Sequence, residues 1–221
     1  SMTYIHNISP IMFEIFSLKL YWYGFMYALS FIIIDYLIVT ASKNKKIILS
    51  KEQAEKFTIV MLIFAIFGGR IGYILFYDFS YYFSNPLRIF YLWEGGMSFH
   101  GGLLGVVAGA FYTAKKNILQ FLEVTDIICL YVPIGLFFGR VGNFINSELY
   151  GIKTSGTWGI IFPVIDSYPR HPSMLYEALL EGIVLFIALF IIKQKQVLNG
   201  RAYICFIFVR FMFDVTLSIV L

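Results

Sequence analysis

The sequence predicts an all-α, polytopic integral membrane protein with about six transmembrane helices. Hydrophobic residues make up 59% of the chain and charged residues only 14%, whereas soluble domains are usually about 45–50% apolar. The apolar residues form long runs joined by short connections, and roughly 20 consecutive apolar residues are enough to cross a bilayer as a helix. We therefore expect residues 1–221 to form a single membrane domain.

Six apolar runs mark the predicted helices. They cover approximately residues 20–40, 57–77, 100–114, 121–138, 173–192 and 202–221. Pro172 precedes the fifth run, and proline suits the start of a helix because its missing N–H would have no partner there. The two cysteines lie inside apolar runs, which favours buried thiols over a disulfide or a metal site.

The distribution of positive charge predicts how the helices are oriented. Ten of the 17 lysine and arginine residues lie in the connections that follow the first, third and fifth runs. Cytoplasmic loops are rich in these residues, so we expect those three connections in the cytoplasm. The termini and the remaining connections then face the outer side, which predicts a polar cavity open to that side. This topology accounts for the net charge of +4, and no nucleic-acid partner is expected.

A polar stretch at residues 139–151 follows the fourth apolar run without a break. Its sequence is GRVGNFINSELYG, which places an arginine, two asparagines and a glutamate where hydrophobicity should continue. Such groups are costly in lipid unless they line a cavity or pair with one another, so the stretch is a candidate functional site. The candidate residues are Arg140, Gly142, Asn143, Asn146, Glu148 and Gly151.

Arg70, Arg140 and Arg210 lie within or at the ends of apolar runs. An arginine at mid-bilayer costs from about 3 to more than 10 kcal/mol, so each should have an anionic partner. Asp214 lies one helical turn after Arg210, and Glu148 could turn back toward Arg140. For Arg70, whose neighbours are glycines, tight packing around a paired charge competes with substrate binding. A guanidinium binds phosphate bidentately, which favours a headgroup-binding role for Arg140 and Arg210.

The remaining candidates are two histidines, a tyrosine and two glutamates. His100 precedes two glycines and could transfer protons near neutral pH, although a lone histidine is more often structural. His171 could contact substrate or cap the fifth helix, and Tyr23 could be an interfacial aromatic residue. Glu177 and Glu181 share one helix face, where they could orient arginines or form a proton path. The sequence has no HExxH or GxSxG motif, so we expect neither a metal nor another cofactor.

Five motifs follow one another along the chain: WYG at residues 22–24, GGRIGY at 68–73, GGMSFHGG at 95–102, the stretch 139–151 and HPSMLYE at 171–177. In sequence and in order, they resemble those of bacterial prolipoprotein diacylglyceryl transferases. The resemblance covers nearly the whole chain. It implies an enzyme of the bacterial plasma (inner) membrane that catalyses the first step of lipoprotein maturation, with its active site on the outer side.

The resemblance also implies a reaction, partners and residue roles. The diacylglyceryl group of phosphatidylglycerol would pass to the thiol of the lipobox cysteine in a preprolipoprotein, forming a thioether and releasing glycerol phosphate. The lipid, the lipobox peptide and the bilayer are therefore the expected partners. Key roles fall on Tyr23, His100, Arg140, Asn143, Glu148, Gly151 and Arg210. We expect two arginines on the phosphate and His100 as the base, with further substrate contacts from Gly142, Asn146, Arg70, His171 and Glu177.

Two departures from the family pattern leave alternatives open. Asp214 stands where the family usually has a glutamate, and a seventh span usually follows the sixth, which suggests a shortened chain or a compact variant. A non-catalytic lipid-binding paralogue is one alternative. An arginine-lined anion transporter is another, although the inverted repeats with interrupted helices that such a transporter would need are not visible.

Overall fold

The computed structural model describes residues 3–16, 18–92, 95–195 and 203–220, and helices dominate this part of the chain. The α-helices are α1 Trp22–Lys43, α2 Lys51–Tyr77, α3 Phe79–Ser84, α4 Phe99–Asn117, α5 Phe121–Ile145, α6 Ser173–Glu177, α7 Leu185–Lys195 and α8 Tyr203–Val220. A 3-10 helix covers Pro86–Phe90, and a π-helical segment, Ala178–Val184, joins α6 to α7 without interruption. The helical fold class is thereby confirmed.

Four of the described helices are long and apolar enough to cross a membrane: α1, α2, α5 and the continuous helix Ser173–Lys195. The third and sixth predicted spans correspond to the helices α4 and α8, and the count of six spans stays a prediction. One boundary differs in a way that matters, because α5 continues past the predicted end at residue 138 to Ile145. Arg140 and Asn143 therefore lie on a helix face rather than in a connection.

Short strands, which the sequence did not predict, lie outside the long helices. They are β1 Tyr4–Ile5, β2 Ile11–Ile15, β3 Leu18–Tyr21, β4 Ile160–Ile161 and β5 Pro169–Arg170. β1 pairs in parallel with β4, β4 pairs antiparallel with β5, and β2 and β3 form a separate hairpin. The first sheet thus joins the N-terminus to the long connection between α5 and α6.

The chain divides into two compact units, and the division falls within α1 and within α5. Unit 1 contains Ser1–Ile34 and Ile128–Leu221, and unit 2 contains Asp35–Ile127. The expectation of one membrane domain stays a prediction.

In unit 2, helices α2 and α4 pack against each other through glycines. A Cβ atom added to Gly105 would overlap the carbonyl oxygen of Phe64, and one added to Gly68 would overlap that of Gly101. Small residues at a helix interface allow the backbones to approach closely, which favours association in lipid. The expectation of close helix packing around Arg70 is confirmed.

In unit 1, the π-helical segment packs on α5 at a glycine, and a small apolar core supports the first sheet. A Cβ atom on Gly182 would lie 2.6 Å from the Cβ of Phe137, so only a residue without a side chain fits there. The core consists of buried Ile160, Phe162 and Met174, with Phe144, Tyr150 and Leu175 packed against them. This core fixes the connection after α5 against the start of α6.

The glycine packing of α2 and α4 predicts a contrast between two substitutions on α4. Gly105→Ala should destabilise the protein by about 1–3 kcal/mol, the usual cost of overpacking. Gly102→Ala is the matched control, because its Cβ would meet only the Ala65 carbonyl at an ordinary 3.6 Å. Since alanine is about 1 kcal/mol more favourable than glycine within a helix, Gly102→Ala should not lower the stability of the protein. Thermal unfolding in detergent measures both, and equal midpoints for the two variants would contradict the packing.

Candidate active site

The side chain of Arg140, on α5, is held by two buried carboxylates from the helix that begins at Ser173. Its Nη2 lies 2.6 Å from Glu177 Oε2 and 3.3 Å from Glu181 Oε2, and its Nε lies 3.4 Å from the latter oxygen. The side chain of Glu181 is 2% exposed and that of Glu177 is 9% exposed. Among the described residues, no hydrogen bond or ion pair involves Arg140 Nη1.

Local backbone structure brings these three charges together. Glu177 ends α6, and Glu181 lies in the π-helical segment, a type of insertion that is frequent at functional sites. The contact of Gly182 with Phe137, one turn before Arg140, brings this segment close enough for the carboxylates to reach the guanidinium. The expected pairing of Arg140 with Glu148 is wrong, because Arg140 remains helical and Glu148 turns to the asparagines.

Glu148 accepts hydrogen bonds from both asparagines of the polar stretch. Asn143 Nδ2 donates to Glu148 Oε2 over 3.0 Å, and Asn146 Nδ2 donates to Glu148 Oε1 over 3.3 Å. The backbone N–H of Glu148 donates in turn to the carbonyl of Asn143, over 2.8 Å. The carboxylate, the two amides and the end of α5 therefore form one hydrogen-bonded unit.

The turn that carries Glu148 is strained on both sides. Ser147 and Leu149 have φ angles of +58° and +55°, in the left-handed region that side chains other than glycine rarely adopt. Each such residue costs roughly 1–3 kcal/mol and persists only where surrounding contacts hold it. Ser173 Oγ donates to the carbonyl of Leu149 over 2.9 Å, which ties one side of the turn to the start of α6.

Tyr23, in the first turn of α1, packs against α5 at Gly142. A Cβ atom on Gly142 would lie 2.8 Å from Tyr23 Cδ2, so the ring occupies the space that a side chain would need. The Tyr23 hydroxyl lies 3.2 Å from that of Tyr27, one turn further along α1. Tyr23 thus lies on the face of α5 that also carries Asn143.

Gly151 lies where the connection after α5 runs close beside the residues that precede α6. Its N–H donates to the His171 carbonyl over 2.8 Å, and an added Cβ would lie 2.9 Å from His171 Cβ. The Gly151 carbonyl accepts from Arg170, whose guanidinium also binds Asp166 at 2.6 Å. The hydrogen bond from Arg170 holds the pKa of the Asp166 carboxyl below its usual 3.8, so this ion pair persists at neutral pH.

The side chain of His171 does not cap the fifth predicted helix. Its Nδ1 lies 3.1 Å from the Tyr176 hydroxyl. The residue at the helix start is Pro172, which makes no side-chain capping bond. The capping interpretation is therefore wrong, and His171 is instead a neighbour of Gly151 and Tyr176.

The family model described as Prolipoprotein diacylglyceryl transferase matches residues 10–218 of this chain. The chain belongs to the prolipoprotein diacylglyceryl transferase family. Several curated relatives are named phosphatidylglycerol--prolipoprotein diacylglyceryl transferase. One from Geobacter sulfurreducens is 45% identical over 91% of this chain and 77% of its own length. One from Legionella pneumophila (strain Lens) is 45% identical over 91% and 78%. One from Pseudoalteromonas atlantica is 48% identical over 86% and 67%.

In unit 1, the structure brings together many of the residues that the resemblance to prolipoprotein diacylglyceryl transferases singles out. Arg140, Asn143 and Glu148 lie along the end of α5 and its turn, and Tyr23 packs against Gly142 of the same helix. Gly151 follows the turn and packs against His171. Glu177 contacts Arg140 as an orienting carboxylate, which was one of the two predicted roles. Arg210 pairs with Asp214 at 3.1 Å on α8 as predicted, and both side chains are largely exposed.

The other two predicted site residues, Arg70 and His100, lie in unit 2. Arg70 is 2% exposed, and its partners are backbone carbonyls rather than the predicted anion. They belong to Arg88, Ile89, Tyr91, Gly95 and Gly96. The exposed His100 lies in the first turn of α4, behind the capping Ser98, and no described residue hydrogen-bonds its ring. Arg70 thus organises the segment that leads to His100.

Nothing in the sequence singled out His6, a buried residue that lies beside the turn of Glu148 in unit 1. It is 5% exposed, and its Nδ1 lies 3.2 Å from the hydroxyl of Ser147. Burial lowers the pKa of the His6 imidazole below its usual 6.5, so the ring is neutral at physiological pH. A single histidine after a two-residue strand has no periodicity or spacing that would have marked it.

The ion pairs of Arg140 with Glu177 and Glu181, together called the Arg140 clamp, predict how the free energy of unfolding responds when one of the three charges is removed. Arg140→Met should destabilise the protein by about 3 kcal/mol, because two buried carboxylates lose their shared cation. Adding Glu181→Gln to that variant should restore part of the loss, since one unpaired charge disappears with it. Chemical unfolding in detergent, with Glu181→Gln alone as the control, measures the coupling. A double variant less stable than Arg140→Met would contradict the clamp.

Proposed function

We propose that this chain transfers the diacylglyceryl group of phosphatidylglycerol to the lipobox cysteine of preprolipoproteins. Its membership of the prolipoprotein diacylglyceryl transferase family and the names of its relatives support the substrates and the reaction type. Its four membrane-compatible helices agree with a lipid substrate. The reaction takes place in the bacterial plasma membrane, with the site open to the outer side, where the cation-poor connections were predicted to lie.

The observation that carries the proposal is the fixed orientation of Arg140 beside the Asn143–Glu148 pair. Two carboxylates hold the guanidinium through Nη2 and Nε, and no described residue occupies Nη1. A guanidinium that is already fixed loses little entropy when its remaining N–H groups bind phosphate. Because the two carboxylates offset its charge, Arg140 would act on the headgroup through direct hydrogen bonds rather than through a long-range positive field.

The chemistry explains why such a donor is needed. The cysteine sulfur attacks the glyceryl carbon that bears the phosphate, so a C–S bond forms as the C–O bond to phosphate breaks. The electron pair of the broken bond stays on the departing phosphate oxygen, which converts a phosphodiester into a more negative phosphate monoester. Hydrogen-bond donors fixed around that oxygen stabilise the transition state more than the ground state. Arg140 and Arg210 are the proposed donors.

The attacking thiol must also lose its proton, since the thiolate is the nucleophile. His100 is the proposed base, because its exposed imidazole in the first turn of α4 has no described hydrogen-bond partner that would compete for the proton. Asn143 and Glu148 position the headgroup, and Tyr23 and Gly151 shape the surface around it. Asn146 and His171 complete the proposed substrate contacts. Gly142 and Glu177, which were also expected to contact substrate, instead pack on Tyr23 and orient Arg140, respectively. Arg70 contributes indirectly by holding the segment before His100.

The phosphate role of Arg140 is tested by a substitution that keeps its charge. Arg140→Lys should reduce turnover about 100-fold or more, because an ammonium cannot bind two carboxylates and present a further planar donor at the same time. The purified protein is mixed with phosphatidylglycerol micelles and a synthetic lipobox peptide, and the mass of the peptide reports the added diacylglyceryl group. Arg88→Lys is the matched control, because Arg88 contacts Arg70 through its backbone carbonyl and its guanidinium lies over the Tyr91 ring, where a lysine ammonium can also make a cation–π contact.

The turnover of the Arg140→Lys variant and that of the wild type test different parts of the proposal. Unchanged turnover in Arg140→Lys would refute the phosphate role while leaving the reaction intact. A wild type that binds phosphatidylglycerol but adds no mass to the peptide would refute the proposed reaction and favour a non-catalytic lipid-binding protein.

A further inference from the structure

His6 connects the N-terminal strand to the strained turn that carries Glu148. Its backbone N–H donates to the Ile161 carbonyl over 2.9 Å, directly after the pairing of β1 with β4. Its ring lies between two aromatic side chains, with centroids 4.9 Å from Phe144 and 5.3 Å from Phe162. The sheet and these two rings therefore fix where the imidazole can point.

The imidazole has one side-chain hydrogen-bond partner, interacts with the backbone of Phe144, and leaves one nitrogen unsatisfied. Nδ1 lies 3.2 Å from Ser147 Oγ, whereas Nε2 is buried without a hydrogen-bond partner among the described residues. A buried histidine that only filled space would be costly compared with phenylalanine, because an unpaired polar nitrogen has lost its hydration. The bond to Ser147 is therefore the side-chain hydrogen bond that distinguishes histidine from an apolar ring at this position.

Ser147 is the residue through which this contact reaches the candidate site. It has the left-handed backbone that reverses the chain after α5, and Glu148 follows it directly. Glu148 then binds Asn143 through both its backbone and its side chain, and Asn146 through its side chain. A shift of Ser147 would therefore move the carboxylate that orients both asparagines.

We propose that His6 is a positioning residue for the transfer reaction, acting through Ser147 to hold Glu148 against Asn143 and Asn146. The inference rests on the proposed function of that asparagine–glutamate pair. His6 does not touch the reacting atoms. The N-terminal segment before α1 therefore belongs to the active-site architecture, although it precedes every motif by which the family was recognised.

Three substitutions separate the hydrogen bond from packing and backbone strain. His6→Phe keeps a ring between Phe144 and Phe162 but cannot bind Ser147. Ser147→Gly removes the hydroxyl while relieving the left-handed backbone. His6→Asn loses the ring but retains an amide that can replace Nδ1. Ser155→Gly, at an exposed position of the same connection, is the control for an added glycine.

We expect His6→Phe and Ser147→Gly each to lower turnover about tenfold, equivalent to roughly 1.4 kcal/mol of transition-state stabilisation. The double variant should be no slower than the slower single variant, because both remove the same bond. His6→Asn should be faster than His6→Phe even though it unfolds at a lower temperature. Ser147→Gly should lose activity without losing thermal stability, which a purely structural role would not produce.

The proposal fails if His6→Phe retains full turnover, or if the losses of His6→Phe and Ser147→Gly multiply in the double variant. Hydrogen exchange at the Glu148 amide tests the same contact without using activity. Exchange there should be faster in His6→Phe than in the wild type, and equal rates would also overturn the proposal. If the wild type fails to modify the lipobox peptide, the proposed function is refuted, whereas the exchange experiment still decides whether His6 holds the turn.

Discussion

The clamp of Glu177 and Glu181 on Arg140 is the constraint on which the rest of unit 1 depends. A guanidinium near a membrane interior is costly without an anion, and a buried carboxylate is costly without a cation. All three groups must therefore meet. That requirement explains why α5 continues as a helix through Arg140, why a π-helical segment follows Glu177, and why Gly182 allows the helices to approach. The same extension of α5 places Asn143 one turn beyond Arg140.

Arg70, which is buried, and Arg140, which is partly buried, show that residue type alone does not determine the role of an arginine in an apolar helix. Arg70 donates hydrogen bonds to five described carbonyls of the segment before His100. Its guanidinium also lies over the aromatic ring of Tyr82. The carbonyl oxygens replace the water that the buried Arg70 guanidinium has lost. Because they engage all three of its nitrogens, no N–H group of Arg70 remains available for a ligand. Arg140 binds two carboxylates on one edge and has a nitrogen without a described partner. The first arrangement is suited to holding a loop, and the second to binding a ligand.

Hydropathy and charge were sufficient to predict the helical membrane fold and the positions of the long helices, because both signals are local. The polar stretch at residues 139–151 was recognisable for the same reason. The sequence could not show which carboxylate binds Arg140, because Glu148 is near in sequence whereas Glu177 and Glu181 are near only after the helices pack. The short strands were equally invisible, since two-residue strands such as Tyr4–Ile5 have no measurable alternation. His6 was missed because its role depends on a partner 141 residues away.

The strained turn at Ser147 and Leu149 explains why a site built around a helix end needs contacts from so many segments. Two left-handed residues would relax to ordinary backbone if the turn were free. Ser173 holds the turn from the start of α6, and His6 contacts it from the N-terminal strand. Because Glu148 lies between the two strained residues, its backbone cannot shift without disturbing one of these contacts. The strained turn, held by these contacts, is thus a rigid support for Asn143 and Asn146, and residues distant in sequence together fix the geometry of the candidate site.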